Sequence, residues 1–456
     1  MNTEKVDIII IGAGPGGYET ALEAAQKGLA VAIVEKNQLG GTCLNVGCIP
    51  TKCFCRNAEV LSDVQEAARY GIDTGEVHFD LTRVVERKNE VVGKLVGGVE
   101  TLMKTPGITL LRGEARFRGD AHTVVVRTDD ENEHVVEATN VIIATGSVSK
   151  FLPIEGAHGE RVVTSTEMLD LNEVPRRLCV IGGGVIGLEF ASIFNTFGSE
   201  VSVIEFCGEV LPFFDRELSK RLRTSLKKRG ITLKTGAAVT RIEDGADGQK
   251  TIYYDEKGKE SSLDADLVLM AVGRGANLES LNLSDVGIAT TRRGISVDEN
   301  MQTNVPGVYA IGDVNGLMQL AHAATAQGKV ALAHILGQPS MAAPDLSVCP
   351  AAVFTVPEFA MVGKTEENLK TEGVAYEVHK AFYRANGKAL AMNADDGIMK
   401  LLTDADGHIL GAHILGAHAA DIIHEVSALM NLGGTLSQLR RMIHAHPTLS
   451  EILVAL

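Results

Sequence analysis

The sequence predicts an α/β protein with two similar parallel-sheet domains and a C-terminal α+β domain. A pattern of apolar strand, glycine-rich turn and helix occurs twice, and its glycines recur at an offset of 170 residues. The part from Leu346 onward mixes alternating strands with a helix and carries no such turn. The length of 456 residues accommodates these three parts, because a domain takes about 150 residues.

The composition excludes several classes of protein. Apolar residues make up 45% of the chain and the formal net charge is −15, which disfavours a disordered chain and a nucleic-acid or anionic-membrane partner. Seven cysteines are too few for a secreted disulfide framework, so we expect a reducing, cytoplasmic location. The apolar run that starts at Val6 is short and enters glycines, which is typical of a buried strand and not of a signal peptide or membrane span.

Each copy of the repeat has the same order of features. A β-branched run leads into G-x-G-x-x-G, a helix follows, and a second strand ends on a glutamate 23 residues after the first glycine. Such glycines let the backbone approach a pyrophosphate at a helix N-terminus, and the carboxylate accepts hydrogen bonds from a ribose. One motif alone is weak evidence, but two in this context predict two Rossmann-like dinucleotide-binding domains. The residues are Gly12, Gly14, Gly17 and Glu35 in the first copy and Gly182, Gly184, Gly187 and Glu205 in the second.

Three further apolar runs, VIIATGS, LVLMAVGR and GVYAIGD, read as buried strands that end in glycine. Ligands of doubly wound sheets bind beyond the carboxyl ends of the strands, so the residues after these runs are candidates for nucleotide contact. A simple turn is the alternative interpretation of each. The candidates are Thr145, Gly146 and Ser147 after the first run, Gly273 after the second and Asp313 after the third.

Cys43 and Cys48, in GGTCLNVGCIPTK, follow Glu35 closely enough to reach the first nucleotide site. On an ideal helix their Cα atoms would be about 8.6 Å apart, beyond the ~7 Å limit for a disulfide. A bridge therefore requires a distorted helix, which Gly47 makes cheap, and a strained disulfide is easily reduced.

Zinc is the competing interpretation of this region, because Cys53 and Cys55 follow within the same stretch. Their spacing does not match paired zinc knuckles, and no metal site is expected. We expect the remaining cysteines to be buried small hydrophobic residues, namely Cys53, Cys55, Cys179, Cys207 and Cys349.

The segment HAHPTLSE near the end of the chain holds His444, His446 and Glu451. A histidine beside a proline is, taken alone, typical of a turn. A dithiol that attacks a disulfide must lose a proton, however, and a histidine oriented by a carboxylate is suited to accept it.

Together these motifs, in this order and over essentially the whole chain, are similar to those of the flavin-dependent pyridine nucleotide-disulfide oxidoreductases, most closely to members that oxidise dihydrolipoamide with NAD⁺. The resemblance implies FAD and NAD as cofactors. It implies an FAD-binding domain at 1–147 completed by 275–345, an NAD-binding domain at 148–274 and a C-terminal dimerisation domain at 346–456.

The resemblance also implies roles for single residues. Cys43 would exchange with the substrate thiol, and Cys48 would lie against the flavin. Lys52 would lie near the flavin N5 and pair with Glu189. The backbone of Ala115 would meet the adenine end of FAD.

Further roles follow from the same resemblance. Asp313 would bond the ribityl chain of FAD. His446 would be the base and Glu451 its orienting carboxylate, and both would enter the site from the other subunit of a homodimer. The implied partners are lipoyl domains of 2-oxoacid dehydrogenase or glycine cleavage complexes.

Related activities differ from this chain at single positions. NADPH-dependent reductases of the glutathione type carry arginines after the second strand, whereas Glu205 is followed here by Phe206 and Cys207. Mercuric reductases carry a vicinal cysteine pair at the C-terminus, and soluble transhydrogenases lack the first cysteine, here Cys43. A flavin-bearing structural or DNA-associated protein is an alternative from another class, and the acidic charge disfavours DNA. Ala323 stands where relatives often have lysine.

Overall fold

A computed structural model describes residues 3–128, 130–245, 248–338 and 344–456. The chain divides into two compact units, each built from separate stretches. Unit 1 comprises 1–53, 85–150 and 274–346, and unit 2 comprises 54–84, 151–273 and 347–456.

The strands of the described residues are numbered in chain order. They are β1 (Thr3–Ile11), β2 (Val31–Glu35), β3 (Ile108–Arg112), β4 (Glu114–Arg118), β5 (Asp120–Arg127), β6 (Glu133–Ile143), β7 (Ser147–Ser149), β8 (Val162–Val163), β9 (Arg177–Ile181), β10 (Glu200–Glu205), β11 (Thr232–Thr235), β12 (Ala237–Asp244), β13 (Lys250–Glu256), β14 (Lys259–Ala265), β15 (Leu267–Met270), β16 (Arg274–Ala276), β17 (Val308–Ala310), β18 (Ala351–Val353), β19 (Phe359–Gly363), β20 (Glu377–Phe382), β21 (Ile398–Thr403) and β22 (Ile409–Leu415).

The helices of the described residues are numbered in the same way. They are α1 (Pro15–Gln26), α2 (Gly41–Asn45), α3 (Cys48–Gln65), α4 (Leu81–Leu102), α5 (Val185–Phe197), α6 (Arg216–Lys228), α7 (Ala321–Ile335), α8 (Glu366–Glu372), α9 (Gly387–Ala391), α10 (Ala419–Asn431) and α11 (Leu436–Arg440). Short 3₁₀ turns include Gly312–Asn315 after β17 and Leu449–Leu453 near the C-terminus.

Unit 1 is built on a sheet with the order β3-β2-β1-β6-β5-β4, and β17 also pairs with β6. Strands β1, β2, β3, β6 and β17 run parallel to one another, whereas β5 runs antiparallel to both of its neighbours, β6 and β4. The strand order reverses between β1 and β6, so the carboxyl ends of these two strands form the edge where nucleotides bind in doubly wound sheets. The second half of β1, from Ile8 to Ile11, is apolar without alternation because both faces of the sheet are covered there, and Ile8, Ile9 and Ile10 are fully buried.

Unit 2 repeats this arrangement with a parallel sheet of order β11-β10-β9-β15-β8. Its order reverses between β9 and β15. An antiparallel sheet, β12-β13-β14, forms a second layer of unit 2, and its apolar face includes Ile242, Ile252 and Tyr254.

The C-terminal part of unit 2 holds an antiparallel sheet of order β18-β19-β22-β21-β20. Helix α10 contacts β19 and β22 and buries Ile422, Ile423 and Val426 against the sheet. The expected fold class, with two Rossmann-like sheets followed by an α+β part, is confirmed.

Candidate active site

The first glycine turn connects β1 to α1 at the carboxyl edge of the unit 1 sheet. Gly12 has a positive φ of +106°, and a Cβ added to it would lie 2.4 Å from the carbonyl oxygen of Ala144. No residue with a side chain fits at this position. An added Cβ on Gly17 would lie 1.9 Å from the oxygen of Gly12, so the helix packs directly on the turn. Gly14 is the N-cap of α1 and faces open space.

Glu35 closes this turn from the end of β2. One carboxylate oxygen accepts from the amide of Ala13 at 2.8 Å, and the other accepts from the amide of Asn37 at 2.8 Å. The carboxylate is thus fixed at the edge where a ribose would lie beside the helix N-terminus. The structure brings Glu35 and the first fingerprint together, and the contact of Glu35 with a ribose stays a prediction.

The second turn, between β9 and α5, reproduces the first residue by residue. Glu205, at the end of β10, accepts from the amides of Gly183 at 2.5 Å and Cys207 at 2.6 Å. Gly182 and Gly187 are as crowded as their counterparts, and Gly184, the N-cap of α5, faces open space. Each unit therefore offers a helix N-terminus whose amides are available to a pyrophosphate, and the residues present fit FAD in one unit and NAD in the other.

Residues after β6 and β17 meet at the switch point of unit 1. Ser147 Oγ donates to Asp313 Oδ2 at 2.5 Å, and Thr145 Oγ1 donates to the carbonyl oxygen of Asn277 at 2.7 Å. Burial raises the pKa of Asp313, although the Ser147 hydroxyl and Arg274 act in the opposite direction. The amide of Asn277 donates to the carbonyl oxygen of Gly146 at 3.0 Å.

Arg274 belongs to this group, and the sequence reasoning missed it. Its guanidinium donates to Ser147 Oγ at 2.8 Å, to the Ser147 carbonyl oxygen at 2.7 Å and to Ser149 Oγ at 3.3 Å. Burial lowers the pKa of Arg274, while the negative charges of Asp313 and Cys48 raise it. The AVGR motif contains this arginine, so the signal was present in the sequence, but only the fold brings it to the switch point.

The redox pair lies where the helix breaks. Cys43 is in α2, Cys48 begins α3, and the two helices are separated at Val46 and Gly47. An added Cβ on Gly47 would lie 2.7 Å from the carbonyl oxygen of Thr42, so the break requires glycine. The helix is thus interrupted between the two cysteines, as a disulfide between them would require.

Both cysteines are thiols in this structure, and the two thiols are hydrogen-bonded to each other. The hydrogen bond to Cys48, burial and the charge of Cys48 raise the pKa of the Cys43 thiol well above its usual range, and Lys52 acts weakly in the opposite direction. The contact with Cys48 thus favours the protonated form of the Cys43 thiol.

His446 and Glu451 form a contact in the C-terminal part of unit 2. His446 Nδ1 lies 3.0 Å from Glu451 Oε1, and the amide of Thr448 donates to the other carboxylate oxygen at 2.8 Å. The Thr448 amide and His446 lower the pKa of Glu451, so the carboxylate is an anion that can orient the imidazole. The His446 side chain is 80% exposed in the single chain, which leaves Nε2 open to a substrate.

The other predicted site residues are distributed over the two units. Lys52 is in α3 and Ala115 is buried in β4, both in unit 1. Glu189 is buried in α5 of unit 2, where it accepts from the amide of Phe354 at 3.0 Å. Gly273 follows β15 with a φ of +103° and open space beside it. The pairing of Lys52 with Glu189 stays a prediction.

Two cysteine assignments were wrong. Cys53, Cys55 and Cys179 are buried as expected, but Cys207 and Cys349 are partly exposed. Cys207 follows the end of β10 at the edge of the sheet, where core side chains do not surround it on all sides. Among the described residues, one exposed group could offer three metal ligands, namely Asp404, Asp406 and His408, and it contains no cysteine.

Comparison with known proteins defines the class of this chain. Residues 6–328 match the family model described as pyridine nucleotide-disulphide oxidoreductase, and residues 349–456 match the dimerisation domain of the same family. The chain belongs to the pyridine nucleotide-disulphide oxidoreductase family. It is accordingly an enzyme of the FAD- and NAD-dependent disulfide oxidoreductase type, which confirms the expected cofactors and class.

Curated relatives are similar over nearly their whole length. The chain is 43% identical to a dihydrolipoyl dehydrogenase of Bacillus subtilis (strain 168) over 98% of this chain and 95% of that one. It is 42% identical to a dihydrolipoyl dehydrogenase of Geobacillus stearothermophilus over 98% and 94%. A mitochondrial dihydrolipoyl dehydrogenase of Arabidopsis thaliana is 39% identical over 99% and 89%.

A solved structure with the same fold is the Cu(II) complex of the HOCl-induced flavoprotein disulfide reductase RclA from Escherichia coli. Its TM-score is 0.88 at 31% identity, with 99% of this chain and 98% of that chain covered. None of the helices among the described residues combines the length and apolar character that crossing a membrane requires.

Proposed function

We propose that this chain is a dihydrolipoyl dehydrogenase, which oxidises dihydrolipoamide to lipoamide and reduces NAD⁺. The observation that carries the proposal is the contact between Cys43 and Cys48 across the helix break, which raises the pKa of the Cys43 thiol. The full-length relatives named dihydrolipoyl dehydrogenase support this choice of substrate.

The thiol chemistry follows from the asymmetry of the pair. His446 accepts a proton from the first substrate thiol, and the resulting thiolate attacks Cys43 Sγ of the oxidised pair. The bond between Cys43 and Cys48 breaks, and Cys48 leaves as a thiolate. The second substrate thiol then attacks the substrate sulfur of the mixed disulfide, and the new sulfur–sulfur bond closes the product ring. Cys43 is the leaving group, and it takes the second proton and becomes a neutral thiol.

The raised pKa of Cys43 suits this order of steps, because Cys43 must end the reaction as a protonated thiol. Glu451 holds the imidazole in the tautomer that presents Nε2 as the proton acceptor.

We assign FAD to the domain at 1–147 completed by 275–345, where Gly12, Gly14, Gly17 and Glu35 would hold the adenosine and pyrophosphate. Ala115, Thr145, Gly146, Ser147, Lys52 and Asp313 would complete this site. We assign NAD to the domain at 148–274, with Gly182, Gly184, Gly187, Glu189, Glu205 and Gly273 as its contacts. When bound, FAD would supply a two-electron acceptor for the dithiol centre, and NAD⁺ would supply the hydride acceptor.

We further propose that the active enzyme is a homodimer in which His446 and Glu451 serve the cysteines of the partner. The match of 349–456 to a dimerisation domain supports this arrangement. Ile443 is 100% exposed and Leu432 is 83% exposed in the single chain, and such apolar side chains are suited to burial against a second copy. Lipoyl domains of 2-oxoacid dehydrogenase or glycine cleavage complexes are the proposed partners, in the cytoplasm.

Steady-state kinetics test the proposed substrate. The purified enzyme should oxidise dihydrolipoamide with NAD⁺ and should show at most a small rate of NADH-dependent reduction of glutathione disulfide. Comparable or faster reduction of glutathione disulfide, without dihydrolipoamide oxidation, would contradict the proposal and favour a disulfide reductase.

A further inference from the structure

A buried imidazole precedes the exposed base by two residues. The His444 side chain is 8% exposed, whereas the side chain of His446 is 80% exposed. The segment from Ile443 to Pro447 lies outside helices and strands. Because an irregular segment lacks the hydrogen-bond ladder of a regular element, side-chain contacts must hold it in place.

Two side chains anchor this segment, one on each side of His446. Glu425, on α10, is hydrogen-bonded to His444 Nε2 at 2.8 Å. Asn386 Nδ2 donates to the carbonyl oxygen of Thr448 at 3.0 Å. The backbone from which the His446 ring projects is therefore pinned two residues before it and two residues after it.

The charged groups that face His444 are Glu425 from α10 and Glu451 from the C-terminal 3₁₀ turn. After the Thr448 amide and His446, the charge of His444 is a further influence that lowers the pKa of Glu451. His444 Nδ1 is buried without a hydrogen-bond partner among the described residues, so Nε2 and Glu425 fix the ring. Glu425 thus contacts His444, and His444 and His446 both act on the carboxylate of Glu451.

We propose that Glu425 is a positioning residue for the base His446 and acts through the buried ring of His444. The inference rests on the proposed function, because it assigns to His446 the role of base toward a substrate thiol. A carboxylate on α10 then sets both the place and the charge environment of the proton acceptor.

Glu425→Gln tests the proposal, because it keeps the shape of the side chain and removes its charge. We expect kcat/KM for dihydrolipoamide to fall about 10- to 100-fold, as for a misplaced catalytic group, and its pH profile to move, with KM for NAD⁺ unchanged. Asp421→Asn is the matched control, because Asp421 is on the same helix with its side chain 87% exposed, and it should match wild type.

A double mutant separates positioning from general structural damage. In the His446→Gln background, Glu425→Gln should cause no further loss, because a residue that acts through His446 has nothing left to position. An equal further loss in that background, or a Glu425→Gln enzyme with wild-type kcat/KM and pH profile, would overturn the inference.

A readout without turnover keeps the inference distinct from the proposed function. The pH dependence of His446 carbethoxylation, followed by mass spectrometry, should move in Glu425→Gln and stay in place in Asp421→Asn. Failure of wild type to oxidise dihydrolipoamide refutes the proposed function alone. An unmoved modification profile refutes the positioning role alone.

Discussion

We expect Glu205 to determine which nicotinamide dinucleotide the second fold accepts. Its carboxylate is held by two backbone amides at the end of β10, and the next residues, Phe206 and Cys207, supply no cation. A 2′-phosphate placed there would face this carboxylate, so we expect kcat/KM for NAD⁺ to exceed that for NADP⁺ about 100-fold or more. Steady-state kinetics with both dinucleotides measure the ratio.

Substitution of the same residue sharpens this prediction. Glu205→Ala should reduce the preference for NAD⁺, whereas Glu200→Ala, at the exposed start of the same strand, should leave it intact. Equal turnover with NADP⁺ by the wild-type enzyme would show that the carboxylate does not discriminate.

We expect dithiol turnover to depend on Cys48. Cys48→Ser should abolish dihydrolipoamide oxidation while FAD stays bound, because the fingerprint and the thiols are separate parts of unit 1. Cys207→Ser, outside the pair, should keep its activity. Thiol titration of the oxidised, denatured protein should find five of the seven cysteines free, and seven free thiols would exclude the bridge.

At the scale of elements, the break between α2 and α3 determines the geometry of the cysteines. Gly47→Ala would place a Cβ 2.7 Å from the carbonyl oxygen of Thr42, so the turn must open and the two sulfurs must separate. We expect a loss of stability of about 1–3 kcal/mol and slower dithiol turnover. Thermal unfolding and steady-state kinetics measure the two effects.

The control for this substitution is a helical glycine with free space around it. Gly98, in α4, has no atom within 4 Å of an added Cβ. Gly98→Ala should stabilise the protein by about 0.5–1 kcal/mol, because alanine is the better helix former. A Gly47→Ala protein as stable and active as Gly98→Ala would show that the break does not depend on glycine.

A buried ion cluster joins α6, α8 and β21 within unit 2. The Lys400 side chain is fully buried and donates to Asp215, the N-cap of α6, at 2.8 Å and to Glu366 at the start of α8. Burial alone would raise the pKa of Glu366, but hydrogen bonds from Lys400 and Tyr376 lower it to about 2.

The cluster predicts a pH-dependent stability. Because the pKa of Glu366 lies below its usual 4.5, its contribution is complete above that pH and is lost as the pH falls from about 4.5 toward 2. Glu366→Gln should lower the melting temperature at pH 7, and its difference from wild type should shrink as the pH drops through this window. Glu367→Gln, exposed on the same helix, should change neither. A difference that does not change between pH 7 and pH 3 would contradict this account.

The strands and glycine turns could be predicted from the sequence because they depend on local rules. Apolar runs, the positive φ of Gly12 and the glutamates at strand ends are all encoded within about 25 residues of one another. Contacts between distant segments could not be read in this way. Arg274 reaches Ser147 over 127 residues, and Lys400 reaches Asp215 over 185 residues, and no periodicity in the sequence pairs them.

At the scale of the whole molecule, the proposed base and the thiols come from different compact units. Cys43 and Cys48 belong to unit 1, whereas His446 and Glu451 belong to unit 2. The sequence predicts both halves of the proposed site, but composition and spacing along one chain do not specify which copy of the chain would complete which site. The dimer proposal must therefore be tested with mixed subunits.

Subunit mixing gives a quantitative test of the shared site. The Cys48→Ser protein is expected to be inactive and the His446→Gln protein to keep only a small residual activity, because every site in either homodimer lacks one essential group. In a mixed dimer, one site combines an intact cysteine pair with an intact histidine, and the other site lacks both. At equal mixing, half of the dimers are mixed and each has one working site, so activity should recover to about one quarter of wild type.

Mixing Cys48→Ser with Cys43→Ser is the control, because both substitutions damage the same half of the site and no mixed dimer has an intact cysteine pair. Recovery in the first mixture and none in the second would establish that the base is supplied by the partner, whereas verified subunit exchange without recovery would assign the base to the same chain.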